Sequence, residues 1–563
     1  MVVFDEEKQD KRVDELHLKE AEGLAQMLSS RYNLAYIDLT KVTISTDGLR
    51  LVPEEEAKAA GLASFHLSGR NIDIAVLTPN NPKIADILSN LTDKGITPKL
   101  WIASQNSLNR AWSLYGEIGR GVKSDAGVIQ ISDEAIAEYV KKFKTIEDVK
   151  ITLNEEIKNS LATGGISTLM EAILSGALAT NASDIHIEPE ETAIRLRYRL
   201  DGVLHDVCDI DNRLIRQITS RLKLVSGMKL NINQAAQDGR FAIKVEGAEM
   251  EIRSSIIPGS YGESVVMRVL NPKSINVTFE NLGVDDQLFK IFEREINRPN
   301  GMILLTGPTG SGKTTTLYSF LRKVNSTESK IITIEDPIEY HLEGVNQTQV
   351  NRSKGYTFLS GLRASLRQDP DIIMVGEIRD AETAKIAINA SLTGHLVFST
   401  LHTNNAAGAI PRLIDLGVNA KILTSALTLP IAQRLVRKLC PVCKQEAVPT
   451  PEEQTIIDNV VVTIKKKKPE IVIAETHKLW HAVGCVECNK TGYKGRCGVY
   501  EAIYMDDAVA KVAIENPSEK EIKIAAIPQG ILDMRQDGIL KVLAGTTDMS
   551  ELARVVDMNE EFI

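Results

Sequence analysis

The run Gly307-Pro308-Thr309-Gly310-Ser311-Gly312-Lys313-Thr314-Thr315 holds the residue types that a chain of phosphates needs. Glycines let backbone N–H groups turn toward an anion at close range. Lys313 neutralises phosphate charge, and Thr314 offers a hydroxyl to Mg²⁺. The run fits G-x-x-x-x-G-K-[ST] without a mismatch. An apolar stretch, Met302 to Leu305, precedes it, and a helical pattern follows from Thr315. That order places the loop at a helix N-terminus, whose partial positive charge favours phosphate. The alternative, a glycine turn that binds nothing, leaves both flanking elements without a purpose.

Three downstream clusters carry acid, base and cationic groups. In Ile331-Ile-Thr-Ile-Glu335-Asp336-Pro, two carboxylates end an apolar strand, where open α/β sheets place their chemistry. One can orient and deprotonate water; helix capping by Asp336 is the plainer reading. In Asp371-Ile-Ile-Met-Val-Gly376-Glu377-Ile-Arg379, a second strand delivers Glu377 at its end, where a Mg²⁺-supporting carboxylate belongs. A strand running into an ordinary helix cap is the alternative. In His395-Leu-Val-Phe-Ser-Thr-Leu-His402, a third strand is bracketed by histidines. His402 is the candidate γ-phosphate contact, against the commoner role of a satisfied strand histidine.

Cys440-Pro-Val-Cys443 and Cys485-Val-Glu-Cys488 form two CxxC knuckles separated by 41 residues. Four thiolates suit tetrahedral Zn²⁺, and a closed shell makes the metal structural. Free thiols or a redox pair are the alternatives. Cys497 competes as a ligand but lacks a CxxC partner, and Cys208 reads as a half-buried strand thiol.

The 563 residues suggest three or four domains. Hydrophobic residues make up 43% and charged residues 25%, which fits globular protein rather than disorder. With 66 basic and 75 acidic residues the net charge is -9, so a broadly basic nucleic-acid surface is not indicated. No apolar run approaches the roughly 18 residues of a bilayer span. The charged N-terminus has no apolar signal core, so export and spanning are both disfavoured. Residues 1–118 read as a small α/β domain, with a helix from Glu20 to Tyr32 and strands at Asn71 and Lys99. Residues 119–165, opening on Gly119-Arg-Gly, read as linker with short helices; an ordered connection packed on the next domain is the alternative. In residues 166–275 a helix from Thr168 is followed by Ile194-Arg-Leu-Arg-Tyr-Arg-Leu and Phe241-Ala-Ile-Lys-Val-Glu, which alternate with period two, and the whole predicts an α+β domain with an antiparallel sheet. From 276 on, apolar strands alternate with helices, as in a sheet buried on both faces. The Lys465–Lys468 run is expected to be a solvated loop.

In order and spacing, these clusters resemble the secretion ATPase family of type IV pilus assembly and type II secretion. Ala182-Ser-Asp-Ile-His-Ile-Glu-Pro, Gln237-Asp-Gly-Arg240, Ser260-Tyr-Gly-Glu, Gln433-Arg-Leu-Val and Gly492-Tyr-Lys-Gly-Arg extend the likeness over about 166–545. The resemblance implies an α/β chain: a RecA-like P-loop ATPase domain, preceded by a PAS-like α+β domain and a small N-terminal α/β domain. The implied boundaries are 1–118 for docking, 119–165 for the linker, 166–275 for the PAS-like domain and 276–563 for the ATPase, with a zinc-binding insertion at about 436–505. It makes Glu335 the water-polarising base and Glu377 the Mg²⁺-supporting carboxylate alongside Thr314, both counted as catalytic with His402. Arg240, Arg253 and Arg268 become arginines that reach phosphates of the same or a neighbouring subunit; for each, a plain surface strand residue is the alternative. The tetracysteine motif matches assembly-type members and argues against a retraction motor.

Expected cofactors are ATP, Mg²⁺ and Zn²⁺. Expected partners are five further copies in a ring hexamer, an inner-membrane platform protein and a membrane-associated docking protein, without nucleic acid. The expected location is cytoplasmic, peripheral at the inner membrane. Some relatives bind cyclic di-GMP through N-terminal leucine-rich repeats; those repeats are not intact here and that ligand is not predicted. The leading reading is a pilus extension motor, the alternative a type II secretion motor. A nucleotide switch or a DNA-translocating ring stands further off.

Overall fold

The computed structural model describes residues 20–116, 133–270 and 277–558, apart from short stretches at 43, 46–47, 50, 69–70, 94–95, 144, 164, 246–247 and 475–476. The Gly119-Arg-Gly run and the 275/276 boundary lie outside the described residues.

Contacts divide the chain into two units, one running to Val269 and one from Leu270 onward, with Asp201–Val203 assigned to the second. The first unit holds two sheets. Its N-terminal sheet runs in the order Ala35–Tyr36, Thr97–Ile102, Asn71–Val76, Leu62–Ser68. The first three strands are parallel and the last closes an antiparallel pair. Ile72, Ile74 and Val76 are buried, as the sequence alternation required. The helix Gln105–Ser113 starts where the Ser104 hydroxyl accepts the Ser107 N–H at 3.1 Å, a side-chain cap on an orphan donor.

The second sheet of this unit has six strands among the described residues. Their order is Val203–Ile210, Ile194–Leu200, Asp184–Pro189, Gly262–Leu270, Ala248–Gly259, Gln237–Val245. Ile194, Leu196, Tyr198 and Leu200 turn inward, while Arg195, Arg197 and Arg199 take the other face. The helix Ile166–Ala179 lies on the inner face, where the Tyr198 hydroxyl donates to Ile173 O at 2.6 Å. Gly176 is required there: a Cβ would sit 2.5 Å from Val149 Cγ1. Val149 belongs to Ile146–Thr163, and with Asp133–Lys142 that helix contributes Ile136, Leu153 and Ile157 to this same core. Much of the stretch expected to be linker is thus two packed helices.

The second unit is built on a seven-stranded sheet among the described residues, ordered Asn346–Gln349, Ile331–Glu335, Ile372–Val375, Leu396–Leu401, Gly301–Thr306, Leu427–Leu439, Tyr493–Ala502. All neighbours are parallel except the last pair. Gly301–Thr306 and Leu396–Leu401 are buried throughout, because helices cover both faces. On one face, Leu317, Tyr318, Phe320 and Leu321 of the helix Lys313–Val324 meet Phe292 and Phe398. On the other, Ala384, Ala387 and Ile388 of Ala381–Leu392 cover the strands. Deleting a ring such as Phe320 from this interior costs about 3–5 kcal/mol.

The lysine run departs from expectation. It ends the helix Pro451–Lys467, whose Ile457, Val460, Val461 and Ile464 are buried. Lys468 is itself buried, its Nζ 2.5 Å from Asp285, the cap residue of Asp286–Ile296. The apolar stripe turns the end of the run inward, and a carboxylate makes that tolerable. Among the described residues, no helix is long and apolar enough to cross a membrane.

Candidate functional site

The phosphate loop follows the central strand Gly301–Thr306 and leads into Lys313–Val324. Gly307, Gly310 and Gly312 have φ of 143°, 79° and 89°, which L side chains rarely adopt. The floor beneath the loop is Gln433. Its carbonyl would lie 2.6 Å from a Cβ on Gly307, and its Nε2 would lie 2.7 Å from one on Gly312. Gln433 Oε1 accepts the Thr316 hydroxyl at 2.9 Å, which ties the floor to the first turn of the helix. Lys313 Nζ donates to Gly307 O at 2.8 Å and Pro308 O at 2.9 Å, across the mouth of the loop.

Two observations fit a phosphate here. The Ser311 hydroxyl is buried without a hydrogen-bond partner, and it points to an absent acceptor. Lys313 is buried, and burial lowers its ammonium to about 8; the Glu377 charge holds it up and the Arg434 charge pushes it down. A phosphate restores the charged form. Thr314, on the first helical turn, is partly exposed and would hold Mg²⁺ together with Glu377.

Glu377 is positioned from both sides. Gly376 N–H donates to Ile334 O, Ile378 N–H donates to Thr400 O, and the Thr400 hydroxyl donates to Gly376 O. The carboxylate pairs with Arg379, and His402 Nε2 lies 3.5 Å from its other oxygen. Arg379 and His402 are both more than half exposed, at 58% and 53%. Asp380 accepts the Thr383 N–H and caps Ala381–Leu392, so the capping alternative is true of Asp380 and leaves Glu377 free for chemistry.

Glu335 sits differently. It is 2% exposed and accepts from the Tyr318 hydroxyl, from Thr333 Oγ1 at 2.5 Å and from Gln347 Nε2 at 3.1 Å. Burial raises its carboxyl, and those three donors lower it again without cancelling the rise. Its strand is separated from the phosphate-loop strand by two others, that of Glu377 by one. Tyr318, on the helix that begins with Lys313, joins Glu335 to the loop through the backbone. Sequence reading missed Tyr318 because a tyrosine in an amphipathic helix reads as core. Gln433 stands in a family-like motif, but its place under the loop is set by the neighbouring strand and has no local signal.

The three arginines lie on the six-stranded sheet. Arg240 and Arg253 are register partners on neighbouring strands, so two guanidinium groups share one face. Like charges directly opposite cost stability, which an anion between them would repay. Arg253 also donates to Glu251 at 2.9 Å. Arg268 donates instead to Asp184 at 3.1 Å.

The four knuckle cysteines are brought together. Their sulfurs all lie within 4.8 Å of one another, with Cys440–Cys485 and Cys443–Cys488 at 3.8 Å and Cys485–Cys488 at 3.7 Å. Zn–S bonds of about 2.3 Å in a tetrahedron demand S–S edges of about 3.8 Å. A disulfide would need about 2.05 Å. Burial pushes the Cys488 thiol up, but N–H donors from Cys485 and Gly492 outweigh it and hold the group near 7. Cys497 lies in Tyr493–Ala502 and is not in the cluster. Cys208 lies in Val203–Ile210, partly buried.

Comparison with known proteins adds the family context. Residues 160–554 match the family described as type II/IV secretion system protein, and residues 32–121 match the MshEN domain. The chain is 38% identical over 535 residues to the type IV pilus assembly ATPase PilB of Myxococcus xanthus, covering 95% of this chain and 91% of the relative. It is 44% identical over 406 residues to the type II secretion system ATPase E of Vibrio cholerae, covering 71% and 77%. The solved pilus retraction motor PilT with bound ADP is 26% identical and covers 69% of this chain and 94% of that one, with a TM-score of 0.48.

Proposed function

This chain belongs to the type II/IV secretion system protein family and is an ATPase, and from that premise we propose that it drives type IV pilus assembly. The observation that carries this reading is the extent of the likeness. The pilus assembly relative matches 95% of the chain, N-terminal domain included, whereas the type II secretion relative matches 71%. Pseudopilus assembly for type II secretion is the second reading, favoured by a higher identity over a shorter match, 44% over 406 residues against 38% over 535. Disrupting the gene and scoring surface pili against secreted protein separates them: loss of pili with normal secretion supports the first, the converse the second.

In the proposed mechanism, the loop from Gly307 to Thr315 holds the phosphates of ATP. Lys313 leaves its carbonyl partners for the phosphates, and Ser311 gains an acceptor. Mg²⁺, when bound, neutralises charge between the phosphates, with Thr314 and Glu377 as the residues that would hold it. Glu377 is also the group we assign to orient the attacking water and take its proton, with His402 beside it. Glu335 is assigned a positioning role, through Tyr318, rather than the role of base. Arg240 and Arg253 are the arginines we assign to phosphate charge, in the same or a neighbouring subunit of a hexamer. Cys440, Cys443, Cys485 and Cys488 would hold structural Zn²⁺. We take the partner to be an inner-membrane platform protein, the N-terminal domain to dock on a membrane-associated protein, and the location to be the cytoplasmic face of that membrane. Rising specific activity with protein concentration tests the ring; a concentration-independent rate counts against it.

A further inference from the structure

The phosphate loop has a second cation beneath it. Arg434, on the strand Leu427–Leu439, is half-buried, and its Nη1 lies 3.2 Å from where a Cβ on Gly307 would be. The guanidinium spends its hydrogen bonds on backbone: Nη1 to Gln433 O at 3.4 Å and Nη2 to Asn404 O at 3.0 Å. Among the described residues it has no carboxylate ion-pair partner. Burial lowers its affinity for the proton, and the Glu501 charge offsets only part of that. Its own charge is felt at Lys313. A half-buried, unpaired guanidinium is costly unless an anion completes it.

The bond to Asn404 reaches a segment that matters. Thr306, the last residue of the central strand, donates to Thr403 O at 3.0 Å and to Asn405 O at 3.5 Å. Glu501 accepts the Ala406 N–H at 2.7 Å, which fixes the far end of the segment. His402, against Glu377, heads it. Arg434 therefore lies against the underside of Gly307 while it is bonded to the segment that carries His402.

We propose that Arg434 is a positioning residue of the ATPase site, which adds positive potential beneath the phosphate loop and braces that loop against the 402–405 segment. The inference rests on the nucleotide reading of the loop. Arginine is needed for the brace because its planar fork serves two acceptors at once, which a single ammonium does not. Charge alone needs only a cation.

The test is MgATP steady-state kinetics at low and high salt on the full chain, with Arg434→Gln, Arg434→Lys and a Lys313→Ala control, each checked for its melting temperature. Arg434→Gln should raise KM about tenfold at low salt and flatten its salt dependence, because one partly desolvated charge is gone. Arg434→Lys should keep KM within about threefold of wild type while kcat falls about tenfold, since charge survives and the fork does not. Wild-type KM, salt slope and kcat in Arg434→Gln overturn the proposal. So does an Arg434→Lys variant as impaired in KM as Arg434→Gln with a lowered melting temperature, because that is packing alone. If Lys313→Ala fails to weaken nucleotide binding, the loop reading falls; if it weakens binding while both Arg434 variants behave as wild type, only this inference falls.

Discussion

His402 Nε2 lies 3.5 Å from one carboxylate oxygen of Glu377, and Arg379 closes on the other. Both side chains are more than half exposed, so either can move without opening the core. The backbone on either side of Glu377 is held by bonds to two strands. The carboxylate is aimed, yet its partners are replaceable, which suits a group that must exchange them during a cycle. Glu377→Gln should leave nucleotide binding intact and lower kcat by about 10²–10⁴-fold, the usual worth of a positioned base. Parallel binding and phosphate-release assays check this.

The same substitution at Glu335 should read out differently. A glutamine amide there would present N–H groups toward Tyr318, Thr333 and Gln347, three donors with one acceptor lost. An unsatisfied buried donor costs about 1–3 kcal/mol. Glu335→Gln should therefore lower the melting temperature, while Glu377→Gln should leave it near wild type. Differential scanning calorimetry on both variants decides the assignment.

Nucleotide affinity should depend on pH through Lys313. Its ammonium sits near 8 in the nucleotide-free protein, below its ordinary value, because burial penalises the charge. Phosphate binding raises it, so the bound state holds more protons between the two values. Affinity should be flat below pH 7 and weaken above pH 8, by up to about tenfold per unit. Titrations with a fluorescent ATP across pH, with calorimetry in two buffers to count proton uptake, would show it. For stability the sign is the reverse: the buried ammonium costs stability at neutral pH, and that cost is relieved as pH rises above 8.

How legible was this site before the structure? The phosphate loop was fully so, because glycine spacing, lysine and flanking periodicity all report one local conformation. The knuckle cysteines were legible for the same reason: each CxxC is a local turn, and only the closure over 41 residues needed the fold. The family resemblance makes Glu335 the base and Glu377 the Mg²⁺-supporting carboxylate, but the local sequence alone does not separate them, since both end buried strands and their difference lies in strand order. Tyr318, Gln433 and Arg434 act across the sheet, from positions whose local patterns read as core or edge. The lysine run misled because its environment is set by Asp285, distant in sequence. Period-two alternation carried the six-stranded sheet, while the helices within 133–163 were legible as helices and a charged composition hid the buried stripe that packs them on this core.

Removing one ligand of the cysteine cluster should loosen the module around it. Cys443→Ser should abolish a stoichiometric zinc and lower the melting temperature by several degrees, since structural zinc binding is folding free energy. Metal analysis of the purified chain and thermal melts with and without chelator test this. A metal-free wild-type chain with an unchanged melt would dismiss the site.

The paired arginines invite a mixing experiment. Arg240→Ala should lower kcat by about 10³-fold or more if that arginine stabilises transferring phosphoryl charge. If it acts across a subunit boundary, mixing Arg240→Ala with Glu377→Gln should restore part of the activity. A mixture no more active than either variant alone would place the arginine within its own subunit.

The most direct measurement is Mg²⁺-dependent phosphate release per subunit by the wild-type chain and Glu377→Gln, at matched nucleotide occupancy. Turnover by the wild type and none by a Glu377→Gln variant that binds ATP normally is the expected result. Hydrolysis by Glu377→Gln at the wild-type rate would contradict the assignment of Glu377 as the base.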